Sequence, residues 1–386
     1  MDKETCACNF DDIRPLNDDE VSAAINELVA SDGFRNAVNY ILPNLDWEMF
    51  TQKMRLCRTK EQFKSTFSYD AVMTVAKFTA FSLTISGRSR LPKQTSCTFI
   101  SNHRDIVLDA AFLNVLLYDI GHGLTQVAIG DNLLIHPWIQ TLVRLNNSFI
   151  VKRDVPVRQI LEASRKLSAY IHHTIRETKE SVWIAQREGR AKDSNDFTQN
   201  GVLKMLNMGG SADILTNLMS LNIVPVAISY EIDPCDYLKA KEFQLKRDNP
   251  HFVKSKRDDL FNMETGILQN KGRVHFTIAS PVNPALMALD RNMDKHELIS
   301  AIASVIDREI YAHYRFYPWN YAAYDMLYQT LRFRDNYDRR DKKQFESYLQ
   351  QQMDKIDIPD KDEAFLRTKL LEMYSNPLKN YLKNKS

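Results

Sequence analysis

The chain has 386 residues, enough for one large domain or for a core domain with additions. Its composition, 44% apolar and 26% charged, is that of a globular protein, and a formal net charge of +2 gives no reason to expect a nucleic acid partner. The five cysteines form no CxxC pair and no ladder of metal-ligand spacing, which is typical of reduced thiols in a cytoplasmic protein. Cys6 and Cys8 are the closest pair, and two ligands near a chain terminus make a poor metal site.

Residues 1–92 are predicted to form a helical N-terminal region. Residues 18–32 and 59–81 carry apolar side chains at the three-to-four spacing of amphipathic helices. The first sixteen residues are acidic and lack the apolar segment of a signal peptide. Because no run of eighteen apolar residues occurs, we expect a protein that docks on a membrane surface, if it works at one, rather than spanning it.

Residues 93–290 alternate short β-rich segments with helical patterns. This alternation predicts an α/β domain whose mostly parallel sheet is flanked by helices. In such sheets ligands bind beyond the carboxyl ends of the strands, so the residues that follow each strand are the candidates for function. The predicted strands are 97–101, 124–130, 148–152, 181–185, 223–230 and 272–280.

Residues 291–386 return to helical patterns and are predicted to form a helical C-terminal region, interrupted at Pro359 and Pro377. Two segments, 131–145 and 316–328, combine aromatic and aliphatic residues in a mixture found at membrane interfaces. The same mixture suits a face that packs against other helices, and the sequence leaves both interpretations open.

The most informative polar group follows the first predicted strand, where His103 lies between an apolar strand and an apolar helix. Imidazole is well suited to proton transfer near neutral pH, and a histidine base usually needs a carboxylate that orients the ring. Asp105 and Asp109 are both close enough in sequence, and they could share this role, or one of them could only cap the helix. A structural histidine bonded to the backbone is the alternative.

Positive charge follows two later predicted strands. Lys152 ends the third and Arg153 follows it, and Glu188-Gly189-Arg190 follows the fourth. Glycine allows close approach of the backbone to a ligand, and the planar fork of arginine suits a phosphate. Taken singly, each of these residues could be ordinary solvated surface charge. Together, at one edge of a sheet, they predict a site for an anionic substrate group.

Four segments now stand in order along residues 98–231: SNHRDIVLD, SFIVKRD, QREGRAK and IVPVAISYE. This ordered set resembles the glycerolipid acyltransferase family, whose members acylate glycerol phosphate or lysophosphatidate. There are two departures from the family pattern. Five residues separate His103 from Asp109 where the family has four, and the third segment lacks the extra residue common before Arg190.

The resemblance implies an O-acyltransferase. His103 would deprotonate the acceptor hydroxyl, Asp109 or else Asp105 would orient the imidazole, and backbone donors near the helix start would stabilise the oxyanion. The acyl donor would be acyl-CoA or acyl carrier protein, with no cofactor and no metal required. Lys152, Arg153 and Arg190 would hold the acceptor phosphate beside Gly189, and Glu188 would steer an arginine or a substrate hydroxyl.

The resemblance further implies a cytoplasmic protein held peripherally at the inner face of the membrane. Two alternatives stay open at this point. The acceptor could be another lyso-lipid, such as an amino-acid lipid, or the chain could be a catalytically degenerate lipid-binding scaffold, as the altered spacing between His103 and Asp109 would allow.

Overall fold

The structure is a computed structural model that describes residues 9–153 and 155–385. Cys6 and Cys8 lie outside the described residues, whereas Cys57, Cys97 and Cys235 are buried free thiols. Within the described part of the chain, one seven-stranded sheet is covered by helices on both faces. The predicted α/β class is therefore confirmed.

The sheet is mostly parallel. Its spatial order is β1-β7-β6-β2-β5-β3-β4, and only the pairing of β6 with β7 is antiparallel. Strands β2 to β6 therefore point the same way and bring their carboxyl ends to one edge. The strands are β1 (Ser82–Ser86), β2 (Thr98–Ser101), β3 (Thr125–Gly130), β4 (Ser148–Val151), β5 (Ser181–Ala185), β6 (Ile223–Tyr230) and β7 (Arg273–Ile278).

All six predicted strands are present within one or two residues of their expected ends, but β1 was not foreseen. Its five residues follow a helical apolar pattern directly, so the sequence analysis assigned them to the helical N-terminal region. They become a strand because β1 pairs along its whole length with β7, from Ser82 opposite Arg273 to Ser86 opposite Thr277. That partner lies far away in sequence, and the local pattern carries no information about it.

The helices before β2 form a layer over one side of the sheet. A π-helical turn, Lys64–Ser68, joins the fourth of them to the fifth without a break. They are α1 (Val21–Val29), α2 (Asp32–Ile41), α3 (Trp47–Leu56), α4 (Lys60–Phe63) and α5 (Tyr69–Thr79).

Helices α6 to α10 connect successive parallel strands, α11 and α12 connect β6 to β7, and α13 follows β7. Helix α8 ends in a second π-helical turn, Thr174–Thr178. The helices are α6 (Leu108–Asp119), α7 (Pro137–Leu145), α8 (Val157–His173), α9 (Asn200–Asn207), α10 (Ile214–Met219), α11 (Asp236–Asp248), α12 (Lys256–Leu268) and α13 (Asn283–Met287).

The C-terminal helices pack against one another and against the sheet domain. They are α14 (Lys295–Ala312), α15 (Pro318–Leu327), α16 (Arg339–Asp354) and α17 (Glu363–Lys385). Pro377 lies inside α17, so the predicted interruption there is wrong. The aromatic segment 316–328 is a packing face, because Trp319 on α15 contacts the rings of Phe345 and Tyr348 on α16.

Alternate residues of each strand point to opposite faces of the sheet and enter two separate cores. Phe99 and Trp183 pack with α5 and α6, whereas the neighbouring Ile100 and Ile184 pack with α8, α9 and α14. Because both of their faces are buried, the central strands β2, β5 and β6 are largely apolar. The polar groups of the sheet domain are thereby concentrated at the strand ends.

Candidate active site

His103 lies in the loop between β2 and α6, at the edge where the parallel strands end. Its Nδ1 atom is 2.8 Å from Oδ2 of Asp109, a fully buried carboxylate in the first turn of α6. The backbone N–H groups of Arg104 and Asp105 donate to the same oxygen, at 2.6 and 3.0 Å. Of the two acids left open by the sequence, Asp109 is therefore the one that contacts the imidazole.

Asp105 bonds to the backbone and not to the imidazole. Its Oδ1 accepts hydrogen bonds from the backbone N–H groups of Val107 and Leu108, so it closes the turn from which α6 starts. Burial raises the pKa of Asp105, and the nearby Asp109 raises it further, against the effect of these two bonds. The interpretation of Asp105 as a helix-starting residue is the one that the geometry supports.

Two further residues fix the loop that carries His103. The side chain of Asn102 bonds to both the N–H and the C=O of Ile228 on the neighbouring strand β6. The Trp183 ring on β5 stands edge-on to the imidazole with 5.7 Å between ring centroids, and its indole N–H donates to Ser101. The backbone beside the imidazole is thus fixed by Asn102, and the ring itself packs against Trp183, whose position is fixed by its own hydrogen bond.

Tyr230, the last residue of β6, is a site residue that the sequence analysis passed over. Its hydroxyl and the Oδ1 atom of Asp109 are both buried, and neither has a hydrogen-bond partner in the described part of the chain. Burial raises the pKa of Tyr230, and the negative charge of the nearby Asp109 carboxylate raises it further. The position could have been noticed, because Tyr230 stands at a strand end like the other site residues.

We expect Tyr230→Phe to lower kcat roughly three- to tenfold with little change in KM, because the polar hydroxyl beside the orienting carboxylate is lost. Tyr337→Phe is the matched control, since that phenol donates to Asp325 in the C-terminal region. Steady-state kinetics of both variants would test this. Equal kcat values for the wild type and Tyr230→Phe would rule out a positioning role.

The close packing of α12 on the Asp105 turn makes a second prediction. A Cβ atom at Gly266 would lie 2.1 Å from Oδ2 of Asp105, whereas one at Gly201 in α9 would meet nothing within 4 Å. Gly201→Ala should stabilise the protein by roughly 0.5–1 kcal/mol, the usual gain in a helix. Gly266→Ala should destabilise it by roughly 1–3 kcal/mol through overpacking. Thermal unfolding of both variants measures this, and a stabilised Gly266→Ala would contradict the packing argument.

Of the cations predicted from sequence, Lys152 and Arg153 line the same large cavity as His103. Lys152 forms an ion pair with Asp12, and the Arg153 guanidinium is 3.8 Å from Glu188. Gly189 also lines the cavity, and its φ of +65° is a conformation that favours glycine. The structure therefore brings together four of the five residues predicted to bind substrate.

The fifth, Arg190, is not among the residues that line the cavity. Its guanidinium donates to Asn262 of α12 at 3.1 Å, and the motif lacks the residue that commonly precedes this arginine in the family. Arg187 lines the cavity instead, with its guanidinium over the ring of Phe197 and its Nε without a hydrogen-bond partner among described residues. It stands two residues after the end of β5, among the cations that the sequence places at the strand ends.

The cavity has a volume of about 1680 Å³ and is mostly apolar. One wall is the sheet with α6, α7 and α8, and the opposite wall is built by α2, α3, the first π turn, α5 and α12. A hydrogen bond from Tyr40 on α2 to Glu264 on α12 joins two parts of that second wall. The N-terminal helices thus turn a sheet edge with a histidine into a large apolar cavity.

The segment 131–145, for which membrane contact and helix packing were both open, is a packing segment. Trp138 on α7 packs against Phe34 of α2, and Leu142 and Leu145 join the same cluster. Separately, within residues 9–153 and 155–385 the structure contains no helix whose length and apolar character would let it cross a membrane.

Comparison with known proteins agrees with this site. Residues 82–229 match the protein-family model described as Acyltransferase, and this segment runs from β1 almost to the end of β6. This segment is an acyltransferase domain. The segment contains His103, Asp109 and the cations described above, and recognition of the glycerolipid acyltransferase family from the four motifs is confirmed.

Among solved structures, this acyltransferase is similar to the 1-acyl-sn-glycerophosphate (LPA) acyltransferase PlsC from Thermotoga maritima. The two share 11% sequence identity with a TM-score of 0.35, over 74% of this chain and 93% of that one. A comparison with curated protein sequences gives no match.

Proposed function

We propose that this acyltransferase moves a fatty acyl group from acyl-CoA or acyl carrier protein to a hydroxyl of a glycerol phosphate or a lysophospholipid. The observation that carries the proposal is the His103–Asp109 pair opening onto an apolar cavity of about 1680 Å³ beside three cations. An apolar cavity suits an acyl chain, and the cations suit a phosphate at the reacting end.

In the proposed reaction, Nδ1 of His103 stays on Asp109, and Nε2 accepts the proton of the acceptor hydroxyl. The hydroxyl oxygen then attacks the thioester carbonyl, an ester bond forms, and the carbon–sulfur bond breaks. The imidazolium returns its proton to the departing thiolate. Asp109 stabilises the imidazolium between these two transfers, and no serine or cysteine nucleophile is needed.

The oxyanion requires hydrogen-bond donors near the carbonyl. Near the start of α6, where the oxyanion donors are expected, four backbone N–H groups already donate to the carboxylates of Asp109 or Asp105. They belong to Arg104, Asp105, Val107 and Leu108. Ile106 lines the cavity, and its N–H has no acceptor among the described residues. We assign it as the backbone donor to the oxyanion.

Arg153, Arg187 and Lys152 are proposed to hold the acceptor phosphate, with Glu188 steering Arg153. Arg187→Gln should raise KM for a phosphate acceptor roughly tenfold or more, because a charge-assisted hydrogen bond is lost. Arg190→Gln is the matched control and should change that KM much less, since Arg190 does not reach the cavity. Steady-state kinetics with varied acceptor measures both, and the reverse order would contradict the assignment.

Membrane docking is proposed at the mouth of the cavity. Val157, Ile160 and Leu161 at the start of α8 are exposed apolar residues, Val157 to 85%, and so are Leu260 and Phe261 on α12. Ile160 and Leu260 also line the cavity, so this surface is continuous with the place that a lipid must enter. Exposed apolar groups beside cations fit a peripheral contact with an anionic membrane leaflet.

The test is an acyl-transfer assay with the full chain and radiolabelled acyl-CoA or acyl carrier protein. The acceptors are glycerol 3-phosphate, lysophosphatidate and an amino-acid lyso-lipid. Product with a phosphate acceptor supports the proposal, and product only with the amino-acid lipid would move the acceptor to that class. Vesicle binding by a folded protein without any turnover would favour the degenerate lipid-binding scaffold.

A further inference from the structure

The end of the cavity opposite His103 contains a buried lysine. Lys64 begins the π turn between α4 and α5, is only 7% exposed, and lines the cavity. Its neighbour Lys60 donates to Asn147, the residue before β4. Lys64 therefore lies at the amino-terminal edge of the parallel strands, whereas His103 follows the carboxyl end of β2.

The Lys64 amine has no hydrogen-bond or ion-pair partner in the described part of the chain. The acids whose charge acts on it are Glu180 and Glu61. Glu180 already accepts from Gln126 and Asn147, and Glu61 is exposed. Lys60, the other charged neighbour, repels a second cation.

A lysine buried without an acceptor is costly, so proteins rarely retain one unless it has a partner at some stage. Burial lowers the pKa of Lys64 to about 7, with a further lowering by Lys60, so part of the cost is avoided by losing the proton. Either form of the amine can still donate a hydrogen bond. The π turn adds to this observation, because such turns occur frequently at functional sites.

We propose that Lys64 is a binding site for a polar group, a hydroxyl or a carboxylate, at the far end of the acyl chain that occupies the cavity. The inference rests on the proposed function, in which the thioester lies at His103. A chain starting there and following β3 covers roughly 17 Å, at 3.3 Å per residue, before it reaches the edge where Lys64 lies. The walls between the two ends are apolar, for example Val127 and Val115.

A chain that ends in a methyl group would leave the Lys64 amine without an acceptor. A chain that ends in a hydroxyl or carboxylate would supply one, and Ser68 and Asn146, which also line this end, offer further polar contacts. The cavity would thus discriminate between acyl chains by their last atoms and not only by their length.

The experiment uses two CoA thioethers that cannot be transferred: S-hexadecyl-CoA and its analogue with a terminal carboxylate. Binding to the full chain is measured by calorimetry for the wild type, Lys64→Met and Lys53→Met. Lys53 also lines the cavity but is exposed, which makes it the matched control. We expect the wild type to bind the carboxylate analogue roughly ten- to a hundredfold more tightly, the usual range for a charge-assisted hydrogen bond.

Lys64→Met should abolish this preference, and Lys53→Met should keep it. Tetradecyl and octadecyl pairs show whether the preference depends on reaching the far end. Three outcomes would overturn the inference. The wild type could bind the carboxylate analogue no more tightly than S-hexadecyl-CoA, it could bind neither compound, or the preference could be unchanged in Lys64→Met. Turnover of hexadecanoyl-CoA without a preference would leave the proposed function intact, whereas a preference without turnover of any donor would overturn only that function.

Discussion

Alanine in place of His103 is expected to lower kcat/KM by roughly 10²- to 10⁴-fold, the range for removal of a general base. The reason is the geometry of the pair: a buried carboxylate holds Nδ1 at 2.8 Å, and the ring faces the cavity where the acceptor hydroxyl must bind. The measurement is the initial rate of acyl transfer with the acceptor identified by the panel.

His136→Ala is the matched control for this prediction. His136 also lines the cavity, but its ring stacks near Trp138, and no carboxylate of residues 9–153 or 155–385 forms an ion pair with it. Its replacement should change kcat/KM by no more than a few-fold. If His103→Ala kept most of the wild-type rate while its thermal unfolding was unchanged, the assignment of the base would be wrong.

Alanine in place of Arg104, the residue after His103, should instead reduce stability, by roughly 3–5 kcal/mol. Arg104 is 6% exposed, and its guanidinium is 2.5 Å from Asp196, which is fully buried. Removing the cation leaves the Asp196 charge in a site where burial already raises the pKa of that carboxyl against the opposing effect of Arg104. The measurement is the free energy of unfolding from urea denaturation, with the thermal midpoint as a second readout.

Two further variants make the Arg104 result specific. Arg291→Ala removes an exposed arginine that lies 3.8 Å from exposed Asp213, and it should leave stability unchanged. The double variant Arg104→Met with Asp196→Leu removes both charges and should recover most of the loss, because the cost comes from the unpaired charge. A double variant no more stable than Arg104→Ala would show that packing, rather than charge, is what Arg104 supplies.

The alternation of apolar strands and helical patterns was enough to predict the sheet class and six of its strands. Patterns of this kind are local, because a strand buried on both faces must be apolar along its length whatever its neighbours are. The candidate site could be located for a related reason. Side chains that follow parallel strands must meet at one edge, so His103, Lys152 and Glu188 could be grouped before any contact was known.

The sequence could not decide between Asp105 and Asp109. Both lie within reach of His103 in a chain whose spacing departs from the family pattern, and the choice depends on the turn before α6. In that turn Asp105 accepts hydrogen bonds from two backbone N–H groups, whereas the carboxylate of Asp109 contacts the imidazole of His103. The orientation of Arg190 away from the cavity has a similar origin, since it follows from α12, whose Asn262 binds it.

The sequence by itself therefore determined the class of fold, the edge of the sheet that carries the candidate site, and the histidine in it. The tertiary structure alone decided which acid contacts that histidine, which arginine lines the cavity, and that the N-terminal helices contribute to an apolar cavity that Lys64 also lines. These features depend on contacts between distant segments, such as Tyr40 with Glu264 and Gly266 with Asp105. Local periodicity reports whether a residue is buried, but not which distant residue buries it.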